Sequence, residues 1–371
     1  MKILLYGECS VAGSGAWCYA ETLREMGHQV IEFSDQEGLQ HYQHNLPARI
    51  FRRITHRALE RDRQRHINAL LQVSRRERPS TVIILKGLNI GPRDVCALKD
   101  LGAWVCLVNH DDFFSQNRCN WSELQRSAIP EYDYVFATRE VNVAEICSLN
   151  PRVEFFPFAY YPRIHRPKAI PDVERDTWGV DVVFVGTWES QRCRQLEELV
   201  RRVPAKYAIW GTQWEKLGWN SPLHRFVHRR PIVLDDMAKA LGGAKIALAF
   251  LRKENRDDYT QRTFEIPACG GVLLAERTGR HKQFYREGVE AEFFDAESDD
   301  ELAAKVTLLL RDDTHRERLR LAGRTALLKQ RHTYADRLSR LLTVSQSRST
   351  CAYGAALQHG EAPMRAEQSV S

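Results

Sequence analysis

Three things are missing from this chain, and each closes off a class of protein. No two cysteines stand at C-x-x-C spacing, no apolar run approaches the roughly 18 residues of a membrane span, and no G-x-G-x-x-G fingerprint is present. The nine cysteines (Cys9, Cys18, Cys96, Cys106, Cys119, Cys147, Cys193, Cys269 and Cys351) are scattered, several of them inside apolar strands or helices. They read as free thiols of a reducing cytoplasm rather than as a disulfide framework or a zinc site. The opening MKILLYGECS holds only four or five apolar residues before a glycine and an acid, so it reads as a first strand and not as a signal peptide. No internal sequence repeat is visible.

What is present is ordinary globular material in quantity. With 371 residues, 43% of them hydrophobic and 27% charged, the chain can build two domains, each with its own core. The net charge of +6 is locally concentrated, because between Arg49 and Arg78 ten arginines stand against three acids. Two readings stand for that segment. One is contact with an anionic membrane, nucleic acid or phosphorylated substrate; the other is a solvated helical face, since Phe51, Ile54, Ala58, Ile67, Leu70 and Leu71 already form core-facing stripes. The arginines are not interleaved with aromatics and no recognised motif accompanies them, which argues against nucleic acid as the partner.

Periodicity predicts strands at 2–6, 29–33, 81–85, 104–109, 134–137 and 153–156 with helices in most gaps, a Rossmann-like half. Prolines 157, 162, 167 and 171 then mark a linker. A second alternation follows, with strands at 182–185, 207–210, 246–250, 272–275 and 292–294. Its helices fall at 189–202, 235–243, 261–268, 281–287 and 299–311, and one long helical stretch runs from 314 to 344. The division predicted is 1–160, a 161–179 linker, 180–344, and a disordered Ser-, Ala-, Gln- and Gly-rich tail over 345–371.

The chemistry gathers at strand ends. Gly186-Thr187 closes a strand and leads into a helix carrying Arg192 and Arg194, an arrangement of free backbone N–H groups and a guanidinium fork that suits phosphate. The loop from Gly7 to Gly15, with Gly13 and Gly15 at its far end, opens after the first strand. The cluster Asn109-His110-Asp111-Asp112 also follows a strand end; His110 or Asp111 there is a candidate base or acceptor ligand, against a helix cap as the plainer reading. The tryptophans, Trp188, Trp210, Trp214 and Trp219 among them, are core residues by default.

The run Asn255 to Glu276, NRDDYTQRTFEIPACGGVLLAE, carries the most information. Asp257 and Glu265 stand eight apart, and Arg262-Thr263-Phe264-Glu265 opens a short helix that ends at Gly270-Gly271 before an apolar strand. This resembles the E-x7-E region of family 4 glycosyltransferases. More closely, R-T-F-E-x-P-A-C-G-G with the later His332-Thr333-Tyr334 and Arg337 resembles the CgeB (spore maturation protein) type of glycosyltransferase domain, over about 182–342. The resemblance implies an α/β protein of the GT-B fold, two Rossmann-like domains facing across a cleft with a C-terminal helix packed back over it. It implies Glu265 on the ribose of a nucleotide-sugar donor and Asp257 on the donor sugar, though here the first acid is Asp rather than Glu. Arg262 and Thr263 would face the cleft, with Arg262 on phosphate or on a neighbouring acid such as Asp258, and Gly270-Gly271 would serve either close donor approach or a structural turn. His332 and Tyr334 read as structural. The activity implied is retaining sugar transfer to a cell-envelope glycan, lipid-linked saccharide or protein. No D-x-D is arranged for a metal, so neither metal nor cofactor is expected. The rival is a noncatalytic nucleotide-sugar-binding or assembly protein on the same fold.

Overall fold

The computed structural model describes residues 1–35, 52–115 and 120–358. Arg49, Phe51 and Cys119 lie outside the described residues, and so do the side chains of Arg52, Arg53, Ile54, Arg57, Ala58 and Cys351. The described cysteines are free thiols.

The first half runs β1 Lys2–Tyr6, α1 Gly15–Glu25, β2 Gln29–Phe33, α2 Arg52–Glu77, β3 Thr81–Leu85, α3 Pro92–Asp100, β4 Trp104–Asn109, α4 Glu123–Ala128, β5 Tyr134–Ala137, α5 Glu140–Cys147 and β6 Val153–Phe155. The second half runs α6 Arg175–Trp178, β7 Val182–Val185, α7 Ser190–Arg202, β8 Tyr207–Trp210, α8 Leu234–Gly243, β9 Ile246–Ala249, α9 Arg262–Ala268, β10 Leu273–Glu276, α10 Gly279–Phe284, β11 Glu292–Phe294, α11 Asp299–Arg311, α12 Asp313–Lys329 and α13 Tyr334–Gln358. All strand pairings in both sheets are parallel, in the orders β2-β1-β3-β4-β5-β6 and β11-β10-β9-β7-β8.

Parallel strands covered by helices on both faces must be apolar at every position. Accordingly Ile3 and Leu5 join one core with α1 and α13, while Leu4 and Tyr6 join another with α2 and α3. Val183 and Val185 pack under α8 and α9, and Val182 and Phe184 under α7 and α11. Each half therefore owns two core layers.

Two segments depart from expectation. The stretch predicted as one helix from 314 to 344 is two helices, interrupted at 330–333 where the chain crosses from the second half back to the first. There Tyr160 and Thr333 pair as a β-bridge, with Tyr160 N–H donating to His332 O at 3.0 Å and Tyr334 N–H to Tyr160 O at 3.2 Å. Arg337 Nε closes the crossing by donating to Pro157 O at 2.8 Å. Beyond it α13 buries Tyr334, Leu338, Leu341 and Leu342 in the first domain's core. The helix also continues past Ser345, where composition predicts a tail, to Gln358.

The proline-rich 157–179 segment is packed rather than exposed. Ala159, Tyr161 and Ile164 lie in the first domain's core and Tyr160 and Trp178 in the second's. Among the described residues, no helix is long and apolar enough to cross a membrane.

Candidate functional site

In the second sheet the chain leaves β7 through α7 to β8 and then returns on the other side to β9. The gap between the C-terminal ends of β7 and β9 is therefore the topological switch point, where loops diverge and α/β ligand sites lie. A cavity of about 370 Å³ occupies that point, lined by Val185, Gly186 and Thr187 at the end of β7, Gln213 after β8, Phe250 and Arg252 after β9, Arg192 on α7, and Thr260, Gln261 and Arg262 at the start of α9. A second groove of about 500 Å³ shares Thr187, Gln213 and Arg252 with it and continues past Trp188 and Lys216.

The cavity is rich in positive charge. Arg192, in the first turn of α7 and buried, donates to Thr187 O at 3.3 Å and Phe250 O at 3.4 Å, and its Nε has no partner. Burial lowers its pKa, but a guanidinium stays charged. Arg262 donates from Nε to Val185 O at 3.1 Å, and burial lowers its pKa to about 10. Arg252 pairs with Glu189 at 2.8 Å, which also lies 3.3 Å from Arg192, and Arg262 pairs with Glu265. Three guanidiniums thus share two carboxylates. No side chain caps the start of α7, so its first N–H groups add to the positive field at the cavity mouth.

Glu265 sits one turn behind this surface, buried, and does not line the cavity. Arg262 holds one carboxylate oxygen, and His165 Nε2 stands 3.3 Å from the other. The Tyr161 backbone N–H donates to His165 Nδ1 at 2.9 Å, which places the imidazole proton on Nε2, toward Glu265.

The remaining expected residues divide clearly. Asp257 is not open to a ligand here, because it is locked in an ion pair with Arg139 of the first domain, Nε to Oδ1 at 3.1 Å. Thr263 does not face the cavity; its hydroxyl meets His281 Nε2 at 3.0 Å and its carbonyl accepts from Tyr285. Gly270 and Gly271 form a packing turn. Gly270 has φ +82°, and a Cβ on Gly271 would fall 2.2 Å from Leu241 O. Arg262 pairs with Glu265 rather than Asp258, which faces Arg280 at 3.5 Å.

On the first-domain side Gly13, at φ +81°, abuts Leu234 across the cleft, and Gly15 opens α1 behind the cap Ser14. His110 stacks between Tyr19 and Phe158 at 5.8 and 5.6 Å and meets Tyr19 OH at 3.2 Å. Asp111 pairs with Lys86 at 2.7 Å. Arg194 points away, to Asp299 at 2.5 Å.

Sequence reading passed over Arg252, Gln213, Thr260, Gln261, His165 and Arg139. Arg252 alone carried a signal, as a cation placed just beyond a buried strand. The others depend on contacts between distant segments. The same holds for the seam joining the domains: Arg256, held at φ +46°, pairs with Asp112 at 2.5 Å and Glu145 at 2.7 Å, Asn255 Oδ1 accepts from Asp112 N–H at 2.8 Å, and Tyr259 OH donates to Thr138 O at 2.9 Å.

Residues 191–343 match the family model for glycosyl transferase-like proteins. The two parallel α/β sheets and the likeness to solved structures give the chain the GT-B fold. Sucrose-phosphate synthase from Thermosynechococcus elongatus superposes on this GT-B chain with a TM-score of 0.68 at 13% identity, covering 94% of this chain and 100% of its own. HepE from Anabaena, in complex with UDP and glucose, gives 0.62 at 11%, covering 95% and 100%. A glycosyltransferase from Rickettsia africae gives 0.62 at 11%, covering 93% and 98%. At such identities the likeness speaks for the GT-B fold. No curated sequence matches the chain.

Burial holds four histidines of this GT-B chain in the neutral form. It pushes the pKa of His110, His281 and His332 down from 6.5 to about 4 and that of His165 to about 3, with Arg262 adding to the last and Arg337 to His332. Between those values and 6.5 the unfolded chain binds more protons than the folded one, so stability present above pH 6.5 is lost as pH falls toward 4. Melting temperatures across pH 7 to 4.5 should fall steeply. A flat profile would show that these rings are solvated.

Proposed function

We propose that the protein moves a sugar from a nucleotide-sugar donor to a cell-envelope glycan, lipid-linked or protein acceptor, as a metal-independent retaining transferase of the CgeB type. The observation that carries this is the cavity at the β7–β9 switch point, where Arg192, Arg252 and Arg262 surround the uncapped start of α7. A diphosphate is the ligand that such a field selects. The fold is shared with HepE, whose structures hold UDP, glucose and UDP-glucose, and a uridine diphosphate donor is the first to try.

In this reading Gly186, Thr187, Arg192 and Arg262 hold the diphosphate. Glu265 receives the ribose hydroxyls when Arg262 turns from it to phosphate. His110, neutral at pH 7, faces the acceptor beside the 7–15 loop, with Asp111 fixed by Lys86. The acceptor attacks on the face that the nucleotide leaves, and the departing phosphate oxygen takes its proton, so the protein's task is positioning and charge stabilisation. The domains are proposed as 1–160 and 180–344, with α13 from Tyr334 packed back on the first, acting from the cytoplasmic side of the membrane.

The Arg139–Asp257 lock favours a second reading, a noncatalytic nucleotide-sugar-binding protein, because it occupies the acid expected on the donor sugar. Incubation with a panel of nucleotide sugars separates the two. Slow hydrolysis of one donor class, undiminished by EDTA, is expected. Nucleotide binding with no hydrolysis or transfer would leave the noncatalytic reading, and activity abolished by EDTA would remove the metal-independent mechanism.

A further inference from the structure

The connection from β8 to α8 presents a surface that neither the donor cavity nor the fold accounts for. Trp219 is 87% exposed at its tip, whereas the chain's other tryptophans are buried or partly buried. The exposure does not come from a loose loop. Trp214, Leu217 and Leu223 anchor the segment in the core, Trp214 Nε1 donates to Gly186 O at 3.0 Å, and Ser221 N–H returns to Gly218 O at 3.0 Å. The indole is held out on a built turn.

Around it the charge is one-sided. From 213 to 231 the sequence carries Lys216, Arg225, Arg229 and Arg230 against the single acid Glu215. Arginine elsewhere is mostly paired: Arg63, Arg139, Arg192, Arg256, Arg262 and Arg277 all meet carboxylates. None of the four cations of this segment has a carboxylate within 4 Å among the described residues. Their side chains meet neutral or aromatic groups. Lys216 donates to Gln213 and lies over Trp188, Arg225 lies over Phe226, Arg229 meets His224 and Arg230 lies over Trp210.

A lone exposed indole is commonplace, and so is a basic loop. A rigidly presented indole on a segment whose four cations lack carboxylate partners is complementary to one kind of surface. Tryptophan settles at the headgroup level of a bilayer, and each nearby lysine or arginine adds attraction to anionic lipid. We propose that the 213–230 loop docks the protein on an anionic bilayer, with Trp219 inserted among the headgroups. Gln213 and Lys216 also line the groove that adjoins the cavity, so docking sets the cavity mouth beside the membrane.

Trp219 fluorescence tests this without any donor, and so independently of the proposed activity. Wild-type protein mixed at low ionic strength with vesicles of 70% phosphatidylcholine and 30% phosphatidylglycerol should shift its emission to shorter wavelength and sediment with them, and added salt should reverse both. Trp219→Ala should abolish the shift, and Arg225→Glu with Arg229→Glu should lower partitioning by about 10-fold or more, since each basic side chain near such a surface contributes about 1 kcal/mol. Because these side chains are not core residues, unchanged melting temperatures are expected and would show that the variants fold. Failure of wild-type protein to bind the vesicles overturns the proposal, as does binding that these variants leave intact, which would move the contact to another surface such as α2. Binding to single-stranded DNA in place of vesicles overturns it too.

Discussion

Asp257→Ala should cost about 3–5 kcal/mol of folding stability, the range for breaking a buried ion pair by removing one partner. Arg139 is 3% exposed and Asp257 5% exposed, and the pair joins the two domains through segments 118 residues apart in sequence. Removing the carboxylate leaves a guanidinium without its counter-ion in the seam, where Thr138 and the His110 carbonyl are its other partners. The intact pair is itself no large source of stability. Burial raises the Asp257 pKa by more than Arg139 lowers it, so what the pair supplies is one particular closure of the domains. Arg139→Leu combined with Asp257→Leu should therefore be milder than the sum of the single changes. Urea denaturation at pH 7 measures Asp257→Ala, the two leucine singles and the double. Single-variant losses below about 1 kcal/mol would mean that water reaches the seam.

Arg192→Ala should lower donor affinity by about 10- to 100-fold, the worth of charge-assisted hydrogen bonds of about 1.5–3 kcal/mol. It should lower kcat/KM further, by up to about 1,000-fold, because negative charge grows on the diphosphate as the sugar leaves. Arg192→Lys keeps the charge and loses the fork, so its effect should fall between wild type and alanine. Arg192 also ties the Thr187 and Phe250 carbonyls together, and a melting temperature for each variant separates that structural role from the donor's. Equal kcat/KM in all three proteins would remove Arg192 from the site.

Strands were legible because burial on both faces demands unbroken apolar runs such as TVIIL at 81–85 and WVCLVN at 104–109. The interruption of the terminal helix was not, since amphipathic patterning continues on both sides of 330–333 and only the β-bridge to Tyr160 shows why the helix stops. That Gly186, Thr187 and Arg192 line one cavity was legible, because they are local to one strand–helix turn. Glu265 was found by its motif, but its surroundings were not, because His165 arrives from a segment 100 residues earlier that prolines marked as a linker. For Asp257 the motif pointed to a ligand while the fold supplied Arg139, and a partner 118 residues away leaves no trace in local spacing.

The β7–β9 cavity should receive a nucleoside diphosphate. Calorimetric titration of uridine, guanosine, adenosine and cytidine diphosphates into wild-type protein tests it most directly, with Arg192→Ala titrated alongside. One nucleotide should bind at one site per chain and lose about 10-fold or more of its affinity in the variant. Binding of none of them, or binding that Arg192→Ala leaves unchanged, would show that this cavity is not a nucleotide site.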